Sequence, residues 1–278
     1  MNTLFAVGCS FTCGIDAYPN YELTSFEKER HWLPTLANLL AEDGRQYKWV
    51  NKGVGGIGMK GILYNLLNML PIVKSGDMLI LGSTYYDRMS YIENVDESQL
   101  NQVVITPKGA EQYLDGTGPD IFPEQSKQYN DLLVTHYVEN SFLCSDDGMN
   151  YLHTEGIFLE RAFRNLCELL EAKGVTCYRW SNEIWFDENF ELVEKWTEYY
   201  VDDGHWSPNG NTAVGRFFYW CIKNGYKNFS SQYLEKCLTQ PRTLWHWDPE
   251  EVKNQQEFFD IHDFKYHKFK NPNDKPFI

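Results

Sequence analysis

The feature that most constrains the fold is an alternation of short strand-like runs with amphipathic segments along residues 1–84. Three runs have the length of strands and are bounded by glycine or polar turns: Leu4–Val7, Tyr47–Asn51 and Met78–Leu81. The two segments between them, near residues 32–43 and 58–70, place apolar side chains at helical spacing. This β-α-β-α-β order predicts a parallel sheet joined by right-handed crossovers.

The C-terminal half continues the alternation. The spacing of apolar residues predicts a helix over residues 156–173, and Val175–Trp180 reads as the next strand. Ser207–Pro208 is a helix-start signal, because serine caps helix N-termini and proline fits the first turn. The body of that helix is predicted over Thr212–Asn224, so the same α/β pattern extends almost to residue 224.

A long stretch between these halves breaks the pattern. From Tyr85 to about Glu124 the sequence is polar and contains glycine and proline. A loop region of this length is usually functional or disordered. We interpret about residues 85–150 as an insertion that walls a substrate cleft. Within it, Val103–Ile105 predicts a short strand and Tyr129–Phe142 predicts a helix.

The length favours one full-sized core. With 278 residues, of which 42% are hydrophobic, the chain can form a single α/β domain, which we place at residues 1–238. Residues 239–278 are aromatic and charged without a clean period. We expect this extension to drape over the domain or to contact another chain, as a homo-oligomer or a larger assembly would require.

Charge and hydropathy exclude several classes of partner. The formal net charge is −14 and the isoelectric point lies near 4.9, which would repel phosphate backbones and anionic lipid headgroups. No apolar run approaches the roughly 20 residues of a membrane span, and no signal peptide is visible. We therefore expect a cytoplasmic protein that binds neither nucleic acid nor membranes.

The cysteines predict packing rather than redox or metal chemistry. There are seven, an odd number without paired spacing, which is typical of reduced and mostly buried thiols. Cys9 and Cys13 are separated by three residues, which is not a CxxC spacing, and no second ligand pair accompanies them. No metal or organic cofactor is expected.

Ser10 is the candidate nucleophile. It follows the first predicted strand directly, and so sits at the carboxyl edge of the sheet, where ligands bind in open α/β folds. Three other loop segments should reach the same edge: Asn51–Gly56, Gly82–Thr84 and Asp202–His205. A serine in a small-residue turn is often only a turn residue. The accompanying segments supply what a reactive serine needs, namely a base and oxyanion donors.

These segments resemble the conserved blocks of the SGNH, or GDSL-type, hydrolase family, in the family's order. Gly8–Gly14 is similar to the first block, Gly-Asp-Ser-x-Thr-x-Gly, with Cys9 in place of the aspartate. Asn51–Gly56 is similar to the second block, and Asp202–His205 fits the last block, Asp-x-x-His. The resemblance spans about Thr3 to Asn224. It implies a three-layer α/β/α, flavodoxin-like fold with a parallel sheet.

The resemblance implies a catalytic triad. Ser10 would attack an ester, His205 would take and return the proton, and Asp202 would orient His205. Asp203 is the competing orienting acid. A solvated acidic turn before a helix cap would be the alternative interpretation of this last segment on its own. A cysteine nucleophile at Cys9 is disfavoured, since no cationic neighbour is visible to lower its pKa.

The third block departs from the family. The family has Gly-x-Asn-Asp where this chain has Gly82 followed by Ser83 and Thr84, so Thr84 takes the place of the oxyanion asparagine. The amides of Ser10 and Gly56 are the other implied donors. A threonine hydroxyl can donate one hydrogen bond but is shorter than an amide, and loss of one donor can cost about 100- to 1000-fold in turnover.

Arg88 and Trp206 are candidate substrate-contacting residues. Arg88 could face an anionic group of a substrate or pair with Asp87 to brace its loop, and the second reading fits the frequency of surface ion pairs. Aromatic residues make up 16% of the chain, and exposed rings would suit stacking on sugar faces. Trp206, next to the proposed base, is a candidate for binding the substrate.

We expect hydrolysis of an ester through an acyl-serine intermediate. The first choice of substrate is a small-molecule or glycan ester carrying a short acyl group, on the basis of aromatic richness and the lack of a broad apolar stretch. Two alternatives stay open. One is a non-catalytic SGNH-like domain that binds glycan or serves a larger assembly, which the substitution at Thr84 motivates. The other is a lipase or thioesterase.

Overall fold

The computed structural model describes residues 1–13, 31–55, 57–84, 89–92, 102–105, 146–181, 206, 208–230, 233, 236–237, 250 and 253. The strands are β1 (Asn2–Gly8), β2 (Tyr47–Gly53), β3 (Met78–Ser83), β4 (Met89–Ile92), β5 (Gln102–Ile105) and β6 (Thr176–Ser181). The helices are α1 (Ser10–Cys13), α2 (Trp32–Glu42), α3 (Met59–Met69), α4 (Asp146–Ala172) and α5 (Pro208–Lys223).

A four-stranded parallel sheet in the order β2-β1-β3-β6 forms the centre of the fold. Gly8 lies opposite Gly53 on β2, and Val7 lies opposite Leu81 on β3, so the carboxyl ends of these three strands are level. The predicted parallel α/β sheet is confirmed. The strand order reverses direction beside β1, and the crevice between β1 and β3 is therefore the topological switch point where ligands bind in such folds.

The helices pack in two groups. Helix α2 contacts α5, and α3 contacts α4. The β1-to-β2 connection moves one way along the sheet, whereas the β2-to-β3 and β3-to-β6 connections move the other way. Right-handed crossovers then place α2 on one face and both α3 and α4 on the opposite face. This is the three-layer arrangement that the sequence predicts.

Helix α2 shows why the predicted boundaries hold. Its N-cap is His31, whose Nδ1 accepts a hydrogen bond from the Leu33 amide at 3.3 Å. Trp32, Leu33, Leu36 and Leu40 are each fully buried and form its inner face. The helix ends before Gly44, whose φ of 81° a residue with a side chain rarely adopts.

A second, two-stranded sheet lies within the range of the predicted insertion. β5 corresponds to the predicted strand at Val103–Ile105, and it pairs antiparallel with β4, which the sequence analysis did not predict. The predicted helix at Tyr129–Phe142 and nearly all of the extension at 239–278 lie outside the described residues. Among the described residues, no helix combines the length and the apolar character that crossing a membrane requires.

Two helices begin earlier than predicted. Helix α4 begins at Asp146 rather than at residue 156. Gly156 is buried within the helix. Helix α5 begins at Pro208, as the Ser207–Pro208 signal indicates, rather than at Thr212.

Candidate active site

Ser10 opens a one-turn helix at the carboxyl end of β1. In α1, the amides of Thr12 and Cys13 both donate to the carbonyl oxygen of Cys9, at 2.9 Å each. The turn is tight, because a Cβ on Gly8 would lie 2.1 Å from Thr12 Oγ1 and 2.8 Å from the Gly82 carbonyl oxygen. Ser10 is only 4% exposed. Strand β1 and this turn thus fix the candidate nucleophile at the switch point.

The end of β2 lies directly against this turn. The Val54 amide donates to the Gly8 carbonyl at 3.0 Å. A Cβ on Gly53 would lie 2.2 Å from the Cys13 amide nitrogen, so only glycine permits this approach. Asn51 Nδ2 donates to the carbonyl oxygens of Thr12 at 2.9 Å and Cys13 at 3.1 Å. The segment that resembles the second block therefore packs directly against the nucleophile turn.

The end of β3 supplies the third segment. Thr84 is fully buried directly after β3, and its amide donates to Met59 Sδ at 3.4 Å. The Gly82 α-carbon faces the Trp180 ring, since a Cβ there would lie 2.6 Å from ring carbons. Ser83 is buried beside them, and its hydroxyl donates to the Trp180 carbonyl at 3.4 Å. Thr84 and Ser10 thus follow neighbouring strands at one edge of the sheet.

An aromatic cluster lies around the nucleophile turn. Phe11 meets Trp206 edge-to-face, with ring centroids 4.8 Å apart, and Trp206 lies 5.6 Å from the Trp180 ring. The indole Nε1 of Trp32 donates to the Phe11 carbonyl at 3.0 Å. Trp206 is 2% exposed. Phe11 and Trp180 therefore pack against its ring, and its contact with a substrate stays a prediction.

The structure brings together only part of the predicted site. Ser10, Thr84, Asn51 and Gly53 meet at the carboxyl edge of the sheet. Five predicted residues lie outside the described part of the chain: Gly56, Arg88, Asp202, Asp203 and His205. Their roles stay predictions. In the described ranges, no three His, Cys, Asp or Glu side chains cluster closely enough to hold a metal ion.

His31 is a polar residue near the turn whose burial sequence reasoning did not find. It is buried at the start of α2, and its pKa is lowered from 6.5 to about 3, because burial removes the charged form from water; a backbone hydrogen bond with Thr12 opposes the shift. The imidazole is therefore neutral at physiological pH. The sequence does carry one signal for this N-cap role: His31 directly precedes Trp32–Glu42, where apolar residues recur at helical spacing.

The cysteines behave as packing groups. None of the six described cysteines forms a disulfide, and all but Cys13 are buried. A hydrogen bond with Cys167, and then burial, raise the pKa of Cys177. Burial raises the pKa of Cys237 to about 12. These two thiols therefore stay protonated and are poor nucleophiles.

Comparison with known proteins finds similarity among solved structures. No protein-family model and no curated protein matches the chain. The chain is similar to a lipase/acylhydrolase from Enterococcus faecalis, at 14% identity and a TM-score of 0.34, covering 81% of this chain and 97% of that one. It is also similar to a carbohydrate acetylesterase family member from Sinorhizobium meliloti, at 14% identity and a TM-score of 0.33, covering 81% and 98%.

A third similar structure is a member of the lipolytic G-D-S-L family from Veillonella parvula DSM 2008. It shares 12% identity at a TM-score of 0.30 and covers 96% of this chain and 100% of that one. This third protein is a member of the family whose sequence blocks the motifs resemble. The fold assignment rests on the parallel strand order and pairing.

Proposed function

We propose that this protein is an SGNH-type serine hydrolase that cleaves an ester through an acyl-serine intermediate. The observation that carries the proposal is the contact between Phe11 and Trp206 at 4.8 Å. Ser10 immediately precedes Phe11 in the chain, and His205 immediately precedes Trp206. The contact therefore joins the two segments that carry the proposed nucleophile and the proposed base, at the switch point of the sheet.

The proposed reaction follows the logic of a serine triad. Ser10 Oγ attacks the ester carbonyl carbon while His205 accepts the hydroxyl proton. The tetrahedral intermediate collapses, and His205 returns the proton to the departing alcohol. Water, deprotonated by the same imidazole, then cleaves the acyl-serine bond and releases the acid. Asp202 holds the tautomer of His205, with Asp203 as the alternative orienting acid.

The proposed oxyanion hole rests mainly on backbone amides. The amides of Ser10 and Gly56 are the two donors, and Thr84 stands where the family has an asparagine. Thr84 is fully buried directly after β3, two residues after Gly82. Its hydroxyl is shorter than an asparagine amide, so its contribution to the binding of the oxyanion is smaller.

The proposed substrate is a short acyl ester of a carbohydrate. Aromatic residues make up 16% of the chain, and such rings suit sugar faces. Arg88 is a second candidate contact if the substrate carries an anionic group. Lipase and thioesterase activities are the competing assignments, and preference for acyl chain length separates them from a deacetylase.

A non-catalytic binding or assembly domain is the second candidate function. Ser10 is 4% exposed and Thr84 is fully buried, which favours a site that does not turn over substrate. The presence of Thr84 where the family has an asparagine agrees with this alternative. It predicts that Ser10→Ala leaves ligand binding unchanged.

Turnover of p-nitrophenyl acetate, and of acetylated against long-chain esters, tests the proposal. Ser10→Ala and His205→Ala should each abolish turnover. Ser83→Ala is the matched control, because Ser83 is a buried serine at the same sheet edge, with its hydroxyl bonded to the Trp180 carbonyl. It should retain turnover. A folded wild type without Ser10-dependent turnover on any of these esters would support the non-catalytic alternative.

A further inference from the structure

The one-turn helix α1 cannot satisfy its own carbonyl groups. The last four carbonyls of any helix lack partners within it, and α1 has only four residues, Ser10–Cys13. A single turn also costs more conformational entropy than its hydrogen bonds return. The conformation of the candidate nucleophile must therefore be imposed by groups outside the turn.

The carboxamide of Asn51 is the main such group. Its Nδ2 donates to two consecutive carbonyls at the end of α1, those of Thr12 at 2.9 Å and Cys13 at 3.1 Å. Its Oδ1 accepts a hydrogen bond from the Gly53 amide at 2.9 Å. The nitrogen of the Asn51 carboxamide thus binds the end of α1, and its oxygen binds the start of the glycine-rich segment.

The Trp32 indole completes the set from the other side. Its Nε1 donates to the Phe11 carbonyl at 3.0 Å, and its ring is fully buried. Three carbonyls of the nucleophile turn are therefore held by two side chains from two different elements. Trp32 holds α1 against α2, whereas the side chain of Asn51 ties α1 to the glycine-rich segment after β2.

We propose that Asn51 is a positioning residue that sets the nucleophile turn relative to the glycine-rich segment 53–56. It does not touch substrate. It holds the backbone of the Ser10 turn at a fixed position relative to Gly53. Gly53 begins the segment that carries the proposed oxyanion amide of Gly56. The inference rests on the proposed function for its effect on turnover. The coupling itself rests on the three hydrogen bonds.

Asn51→Ala and Asn51→Asp test the coupling. Alanine removes all three hydrogen bonds. Aspartate keeps the acceptor for Gly53 but places a carboxylate oxygen against the Thr12 and Cys13 carbonyls. Both variants should lower kcat by about 100-fold, the scale of a displacement near 1 Å at a reacting centre, while KM changes by less than about threefold. Aspartate should be no better than alanine, because the donor half carries the effect.

Asp77→Ala is the matched control. Asp77 is 1% exposed and also bonds two backbone amides, those of Thr3 at 2.8 Å and Lys74 at 3.0 Å, but at the opposite, amino edge of the sheet. It should lower stability to a similar or greater extent while leaving kcat unchanged below the unfolding transition. A purely structural role for Asn51 would give the same pattern as Asp77→Ala and would overturn the proposal.

Hydrogen exchange supplies a readout that does not depend on catalysis. In Asn51→Ala, the amides of peptides covering residues 9–13 should exchange at least about tenfold faster than in wild type, because the net contribution of even one of the three lost hydrogen bonds is about a factor of ten. Asp77→Ala should leave their exchange unchanged. Unchanged exchange in Asn51→Ala would overturn the coupling. A wild type without Ser10-dependent turnover would instead overturn the proposed function, and the exchange comparison alone would then decide the coupling.

Discussion

Replacement of His31 by asparagine should make the protein less sensitive to acid. The pKa of His31 is lowered from 6.5 to about 3, primarily by burial. The unfolded chain therefore binds a proton at a pH where the folded protein binds none. Stability contributed by the neutral imidazole is complete above pH 6.5 and is lost as the pH falls toward 3. Asparagine keeps an N-cap acceptor for the Leu33 amide and removes the titration.

The size of the effect follows from linkage. Between pH 6 and pH 3.5 the slope is about 1.4 kcal/mol per pH unit for one proton taken up on unfolding. Integration from pH 7.5 to pH 5 gives a loss of about 2 kcal/mol from His31 alone. That is a large share of the roughly 5 to 15 kcal/mol of a typical domain.

Urea unfolding of wild type and His31→Asn at pH 7.5, 6 and 5 measures this difference directly. Other groups titrate in both proteins, so the quantity of interest is the difference between the two pH slopes. Wild type should lose about 2 kcal/mol more than the variant between pH 7.5 and pH 5. Parallel pH profiles would refute the reasoning, because a buried neutral imidazole could not then be the cause of the acid sensitivity.

Two substitutions at the sheet edge give further expected outcomes. Gly53→Ala should lower turnover by at least about tenfold, because its Cβ would lie 2.2 Å from the Cys13 amide nitrogen. Gly44→Ala is the control, because Gly44 has a φ of 81° and a Cβ there would have no atom within 4 Å. It should cost about 1 kcal/mol of stability and leave turnover unchanged. Thr84→Val should lower turnover by less than the roughly 100-fold expected for a full oxyanion donor, and a larger loss in steady-state assays would show that the hydroxyl is a principal donor.

The parallel sheet and the helix around Trp32 could be predicted because their signals are local. Leu4–Val7 and Met78–Leu81 are short apolar runs between turn residues, and the inner face of α2 repeats at helical spacing. The start of α4 was placed too late, since Gly148 and Gly156 are poor helix formers and the helix nevertheless runs through both. Strand β4 gave no local signal and depends on pairing with β5.

The sequence could predict which segments form the candidate site, but not the contacts between them. Ser10 and Thr84 could be placed at one sheet edge because both follow strands of a parallel sheet. The hydrogen bonds of Asn51 to Thr12 and Cys13 join positions 39 and 38 residues apart, which no local pattern reveals. Burial of Trp206 depends likewise on a distant partner, so composition alone could not separate packed rings from exposed ones.

Labelling with a fluorophosphonate probe, followed by mass-spectrometric mapping of the modified peptide, tests most directly whether Ser10 is an activated nucleophile. The account predicts a single adduct on Ser10 in wild type and in Ser83→Ala, and none in Ser10→Ala or His205→Ala. An adduct on a different residue, or no adduct on the folded wild type, would contradict it.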